Sequence, residues 1–170
     1  MKNWRDFLVC DNLEHFEMGN IWECDGCLND IVTEMVETTK QLEFDCVAGI
    51  ETKGIIFASA LAAQIGKPLM IFRKMNRIIH TPEKLSHHFK NWKHENEGIE
   101  IEKTSLSSGR EILVVDDVAM TLSSFRAAVQ LLANTESRIS AFLCVANLSA
   151  ERAVDGISIM SLINAKKEFS

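Results

Sequence analysis

Glu111-Ile112-Leu113-Val114-Val115-Asp116-Asp117-Val118-Ala119-Met120-Thr121-Leu122-Ser123-Ser124 leads straight into Phe125-Arg126-Ala127-Ala128-Val129-Gln130-Leu131-Leu132. Ile112 to Val115 is an unbroken aliphatic run, the pattern of a strand covered on both faces in a parallel sheet. Phe125, Val129 and Leu132 recur at helical spacing, and Ala127 and Ala128 favour helix. Two carboxylates and a hydroxyl-bearing turn lie between strand and helix. Such a junction attracts anions, because unpaired N–H groups and the positive end of the helix dipole converge there.

Working upstream, Phe44 to Ile50 reads as a second buried strand and ends in Glu51-Thr52-Lys53-Gly54. Ile55 to Ile65 reads as a helix of small and apolar residues, closed by Gly66 with Pro68 beyond it. Leu69 to Phe72 is a third strand and ends in Arg73-Lys74. Leu28 to Leu42 carries Leu28, Ile31, Val32, Met35 and Leu42 near helical spacing. Downstream, Ile139 to Ala146 is a fourth buried strand, and Ile157 to Ile163 alternates like a last, half-exposed one. The alternation predicts an α/β fold: a central parallel sheet flanked by helices. In such sheets ligands bind at the carboxyl ends of the strands. Three strand ends carry charge there: Glu51/Lys53, Arg73/Lys74 and Asp116/Asp117.

The chain has 170 residues, two prolines and no internal repeat, which suits a single domain over 1–170. Its formal net charge of -6 argues against general nucleic-acid binding. No apolar run reaches membrane-span length, and the first residues lack the apolar core of a signal peptide, so a cytoplasmic protein is expected. The five cysteines are then expected to be thiols, with Cys46 and Cys144 in the core. Cys24-Asp25-Gly26-Cys27 is a lone CxxC without a second ligand pair, and two ordinary thiols are its default reading.

Residues 1–27 show no clean period and read as irregular or short elements packed over the rest. Asn76 to Gly98 is polar, carries four of the histidines, and is too long for an ordinary connection; it is read as a lid or small hairpin closing over an anionic ligand. Glu97 to Glu102 alternates like an edge strand.

Taken together, the blocks resemble type I phosphoribosyltransferases, in particular the adenine phosphoribosyltransferases. The opening stretch is similar to that family's motif for phosphoribosyl pyrophosphate (PRPP). Val47 to Ala58 is similar to its pyrophosphate loop, Leu69 to Lys74 to its next strand, Glu100 to Gly109 to its approach to the acidic pair, and Ile157 to Ile163 to its closing strand. The resemblance covers residues 28–165, with 1–27 as a small hood.

The resemblance implies a five-stranded parallel core and transfer of the ribose 5-phosphate of PRPP to a purine-type base, adenine foremost, with release of pyrophosphate. Asp116 and Asp117 would be the catalytic pair that holds the ribose hydroxyls. Ala119, Met120, Thr121, Leu122, Ser123 and Ser124 would cradle the 5′-phosphate. Lys53, Arg73 and Lys74 would face the pyrophosphate. Mg²⁺ would arrive with PRPP rather than on protein ligands of its own, and a homodimer is expected. Three positions depart from the pattern. Leu122 and Ser123 stand where the family has two glycines, which is expected to tighten or distort the loop because leucine disfavours a left-handed backbone. Lys53 replaces an arginine and loses its bidentate fork. Lys93 and His94 fall where the mobile loop has a Glu-Tyr pair, with Glu95 beside them. These departures motivate an alternative: a weakened PRPP- or nucleotide-binding regulatory module of the same fold. Hydrolysis or phosphorolysis at a ribose C1 is a third reading.

Overall fold

A computed structural model describes residues 3–12, 15–79, 83–90, 95–106 and 109–164. A 3-10 turn at Trp4–Phe7, a hairpin of β1 (Val9–Asn12) and β2 (His15–Glu17) and a second 3-10 turn at Ile21–Glu23 precede the first helix, α1 (Cys27–Thr39). There follow β3 (Cys46–Ile50), α2 (Gly54–Ile65), β4 (Leu69–Lys74), β5 (Lys84–Lys90), β6 (Asn96–Glu102), β7 (Glu111–Ala119), α3 (Ser123–Leu132), β8 (Arg138–Asn147), β9 (Ala153–Val154) and β10 (Ile157–Asn164).

Among the described residues, eight strands form one sheet in the order β5-β6-β4-β3-β7-β8-β10-β9. The five central strands, β4, β3, β7, β8 and β10, pair in parallel. β6 and β5 continue one edge antiparallel, and β9 ends the other edge antiparallel. The sheet is therefore mixed, with the expected parallel core inside it.

Alternation along the central strands divides the core in two. Val47, Leu113, Val115 and Leu143 pack on one face under α1, α2 and the N-terminal segment, with Trp4, Phe16, Met18 and Ile21 buried there. Cys46, Ala48, Ile112, Val114 and Phe142 pack on the other face, under α3 and the β5–β6 hairpin. Phe125 of α3 stacks on Phe142 of β8 with ring centroids 4.3 Å apart. The N-terminal segment is tied to α1 by Glu34, which accepts from Trp4 Nε1 at 2.8 Å and from both terminal nitrogens of Arg5 at 2.8 and 2.7 Å. Those Arg5 bonds, then burial against them, leave the Glu34 carboxyl below its ordinary range.

Two expectations are corrected. β6 is not an edge strand: β5 covers its outer side along seven paired residues, and Gly98, Ile99, Glu100 and Ile101 are buried. The alternation of Glu97 to Glu102 hid this, because the buried Glu100 looks like a solvent-facing position. Cys24 and Cys27 are joined in a disulfide rather than standing as two thiols. The turn into α1, closed by the Cys27 N–H on the Cys24 carbonyl at 3.3 Å, brings their Cα atoms to 5.5 Å. Cys46 and Cys144 are buried thiols, as expected.

Candidate functional site

Two strand–helix junctions meet at the carboxyl ends of β3 and β7, which are neighbours paired in parallel. After β3, Glu51-Thr52-Lys53 leads into α2 through a cis Glu51–Thr52 peptide. After β7, Met120-Thr121-Leu122 leads into α3. No side chain caps either helix at its N-terminus. The Ser123 N–H reaches Thr121 Oγ1 only at a long 3.4 Å, while the Thr121 and Ser123 hydroxyls meet at 2.9 Å. Both helices thus begin with N–H groups untied by a side-chain cap, the arrangement that favours an anion at each.

Between the junctions lies a cleft of about 420 Å³. It brings together Lys53, Lys74, Asp116, Asp117, Thr121, Ser123 and Ser124 of the residues predicted from sequence. Ala119, Met120 and Leu122 line the adjoining hollow at the start of α3 with Asp116, Thr121, Ser123 and Ser124. Gly54 is required where the junctions touch. A Cβ there would lie 2.7 Å from the Val115 carbonyl, which the sheet fixes, and 2.9 Å from Asp116 Oδ1.

The two carboxylates are not equivalent. Asp116 Oδ1 accepts the backbone N–H of Asp117 at 2.9 Å. Burial, then the charge of Asp117 beside it, push the Asp116 carboxyl well above the usual carboxylate range. Asp117 is paired with Lys53, Nζ to Oδ2 at 3.8 Å, a long contact with the lysine half exposed. An exposed pair of that length adds little to stability, so Lys53 can leave it for a ligand at small cost.

Arg73 is held apart from the cleft. Its Nε donates to Glu51 Oε2 at 3.1 Å, and that oxygen also accepts the Lys74 N–H at 2.9 Å. Burial of Glu51 works toward protonation, but these two donors outweigh it and leave the carboxyl below its ordinary range. Of the lid candidates, Lys93 and His94 lie outside the described residues. Glu95 is exposed ahead of β6 and does not line the cleft.

Glu51, read from sequence as a charged strand end, lines the cleft, and so do Ile50, Thr52, Phe89, Glu97 and Val118, to which sequence reading gave no individual site role. Phe89 and Glu97 are cross-strand partners on β5 and β6. The alternation of Glu97 to Glu102 was the available signal, since it places Glu97 on a strand whose mate had to come from the polar segment before it.

Leu122 takes the left-handed backbone after all, with φ 61° and ψ 11°. For leucine this costs about 1–2 kcal/mol. Its side chain is buried at 3% exposure in the core with Phe125 and Val154, and burying a leucine is worth about 1.5–3 kcal/mol. Core burial therefore holds a conformation usually left to glycine.

A family model described as Phosphoribosyl transferase domain matches residues 27–169. The chain belongs to the phosphoribosyltransferase domain family. A Pelagibacter ubique protein named adenine phosphoribosyltransferase is 28% identical over 119 residues, covering 70% of this chain and 66% of its own length. The chain thus spans just under two thirds of that relative. The crystal structure of adenine phosphoribosyltransferase from Thermoanaerobacter pseudethanolicus superposes with a TM-score of 0.79 at 21% identity, covering 88% of this chain and 87% of its own. The Saccharomyces cerevisiae enzyme, complexed with an imino-altritol 1,6-bisphosphate and adenine, superposes with a TM-score of 0.76 at 19% identity, covering 94% and 96%. These likenesses establish the phosphoribosyltransferase fold for this chain. None of its described helices is long and apolar enough to cross a membrane.

Proposed function

We propose that this chain is a pentosyltransferase that moves the ribose 5-phosphate of PRPP to a purine-type base, adenine foremost, and releases pyrophosphate. The observation that carries this reading is the pairing of two uncapped helix N-termini across one cleft, with an acid pair between them. That layout suits a ligand with an anionic group at each end and hydroxyls in the middle. The Saccharomyces protein, which holds a bisphosphate sugar analogue with adenine, lends the same chemistry.

In this reading the turn from Ala119 to Ser124 receives the 5′-phosphate through N–H and O–H donors. Asp116 and Asp117 accept from the ribose hydroxyls. Lys53 and Lys74 neutralise the pyrophosphate, and Arg73 holds the carboxylate of Glu51 at the cleft wall. In the reaction the C1–oxygen bond to pyrophosphate breaks with its electron pair leaving on oxygen. A ring nitrogen of the base forms the new bond to C1 and gives up its proton. Positive charge develops at the ribose, so carboxylates beside it and cations at the leaving group both lower the barrier.

Among the described residues no three acidic, histidine or cysteine groups form a metal cage. Two adjacent carboxylates on an open cleft fit an ion that brings further oxygen ligands with it, as Mg²⁺ does on a polyphosphate. Asp116 and Asp117 would hold its waters, and the ion would supply charge neutralisation of the departing pyrophosphate. A single domain over 1–170, a homodimer and a cytoplasmic setting complete the proposal.

The test is a steady-state assay with PRPP, Mg²⁺ and a panel of adenine, hypoxanthine, guanine, xanthine and orotate. Adenine is expected to give the highest kcat/KM, and no nucleotide from any base overturns the enzymatic reading. The regulatory alternative rests on Leu122, Ser123 and the Lys93-His94 pair. Calorimetric binding of PRPP or a nucleotide without turnover would favour it.

A further inference from the structure

The turn that follows β8 lies outside every block read as functional, yet it grips the anion cradle at both ends. The Leu148 and Ser149 N–H groups both donate to the Ala119 carbonyl, at 2.8 and 3.2 Å. Ala119 is the last residue of β7 and the first of the cradle, and it is paired in register with Asn147. At the far end, Arg126 Nη2 donates to both oxygens of Glu151 at 2.7 Å. Arg126 lies in the first turn of α3, and its own N–H closes that turn on the Leu122 carbonyl at 2.9 Å.

Asn147 shapes the turn that makes both grips. Its side chain is buried at 2% exposure. The side-chain oxygen accepts from the Ser149 N–H at 3.0 Å and from the Ser149 hydroxyl at 2.7 Å, and the side-chain NH₂ donates to the Glu151 carbonyl at 3.0 Å. The Ser149 hydroxyl in turn accepts the Glu151 N–H at 3.2 Å. Both functions of the amide are used, which no aliphatic residue can imitate. A network anchored on a buried amide with both of its functions used favours a single geometry for the turn.

We propose that residues 147–151 are a clasp on the anion cradle, with Asn147 as a positioning residue for binding of the 5′-phosphate of PRPP. The inference rests on the proposed function above and adds to it. A cradle with leucine and serine in place of two glycines keeps an unfavourable backbone at Leu122. Its ends are therefore fixed from outside, at Ala119 and at Arg126. None of the clasp residues lines the cleft, so the clasp acts through the cradle and not on the reacting atoms.

The test compares wild type, Asn147→Ala, Arg126→Gln and the reversed pair Arg126→Glu/Glu151→Arg. KM for PRPP, kcat, and the calorimetric Kd for ribose 5-phosphate are measured, with thermal melts to confirm folding. Asn147→Ala is expected to raise KM and Kd about tenfold, the effect of one or two lost hydrogen bonds, with kcat within about twofold. Arg126→Gln is expected to raise both about threefold, and the reversed pair to restore them. A folded Asn147→Ala protein with unchanged KM and Kd overturns the clasp, as does a loss confined to kcat. Should Asn147→Ala fail to fold, an unchanged KM and Kd in Arg126→Gln overturns it instead. Wild-type protein that binds neither PRPP nor ribose 5-phosphate overturns the proposed function and the clasp with it, whereas normal wild-type binding with unaffected variants overturns the clasp alone.

Discussion

Asp116 on β7 and Glu100 on β6 are both acids on sheet strands, and their surroundings have opposite character. Glu100 is fully buried and fully answered: Arg77 and Ile78 donate N–H groups at 2.8 and 2.6 Å, and Lys84 Nζ sits at 2.7 Å. Burial alone would raise its carboxyl, but Lys84 and the two N–H groups outweigh it and hold it below the ordinary range. Asp116 has a second acid as its neighbour; burial, then the charge of that neighbour, push it upward. A satisfied acid closes a structure, here fastening the β4–β5 connection to β6. An acid pair on an open cleft, held by one backbone N–H and a long contact to Lys53, keeps acceptors for something that arrives from solution.

The largest effect that would break this contrast is on activity. Asp117→Asn is expected to lower kcat/KM about a hundredfold or more while the melting temperature stays level or rises. A steady-state assay beside a thermal melt checks both, and an active Asp117→Asn enzyme would remove Asp117 from the site. Glu100→Ala should do the reverse. It breaks a buried pair and leaves two N–H groups unanswered, so a loss of about 3 kcal/mol is expected, or roughly 10 °C in Tm for a chain of this size. Surviving protein should keep its kcat at low temperature. If stability is unchanged, Glu100 is not the fastening that its contacts suggest.

Leu122→Gly sharpens the contrast at intermediate size. It relieves a left-handed leucine but removes a buried side chain, and a net loss of about 1 kcal/mol is expected in urea denaturation. PRPP affinity should change by less than about threefold; tightening by tenfold would show that backbone strain outweighs the core contact.

The smallest effect is on the pH dependence of stability, and the two acids have opposite signs. The folded pKa of Glu100 lies below its ordinary 4.5, so its contribution is present above that value and is lost as pH falls through the folded pKa. The folded pKa of Asp116 lies above its ordinary 3.8, so its contribution is full below that value and is lost as pH rises through the folded pKa. Urea midpoints across pH should show Glu100→Gln flattening the acid limb and Asp116→Asn flattening the upper one. Asp116→Asn that leaves the upper limb unchanged would refute the raised carboxyl of Asp116, which burial and then the Asp117 charge produce.

The legible parts of the sequence were those whose signal is local. Ile112 to Val115 and the Phe125 helix carry their own periods, and Gly66 marks the end of α2 where its backbone is left-handed. The junctions that supply Lys53, Asp116, Asp117 and Thr121 follow from those elements. The hairpin of β5 and β6 was legible only as a long polar segment, because His87, His88 and Lys90 mask a strand whose order comes from pairing with β6. Phe89 and Glu97 were missed for that reason. Arg73 could not be told from Lys74 as a cleft residue, since its direction depends on Glu51, 22 residues away.

By itself the sequence determined the strand–helix order of the parallel core and the acid pair at the end of β7, because each rests on neighbours a few residues apart. Only the tertiary structure decided that Glu100 is answered by Lys84 and two N–H groups while Asp116 and Asp117 line the cleft. It also decided that Leu122 holds a glycine's conformation through burial, and that the Leu148 and Ser149 N–H groups reach back to Ala119. Those are long-range outcomes of packing and hydrogen bonding, where the partners of a polar group are fixed by the fold and not by the residues beside it.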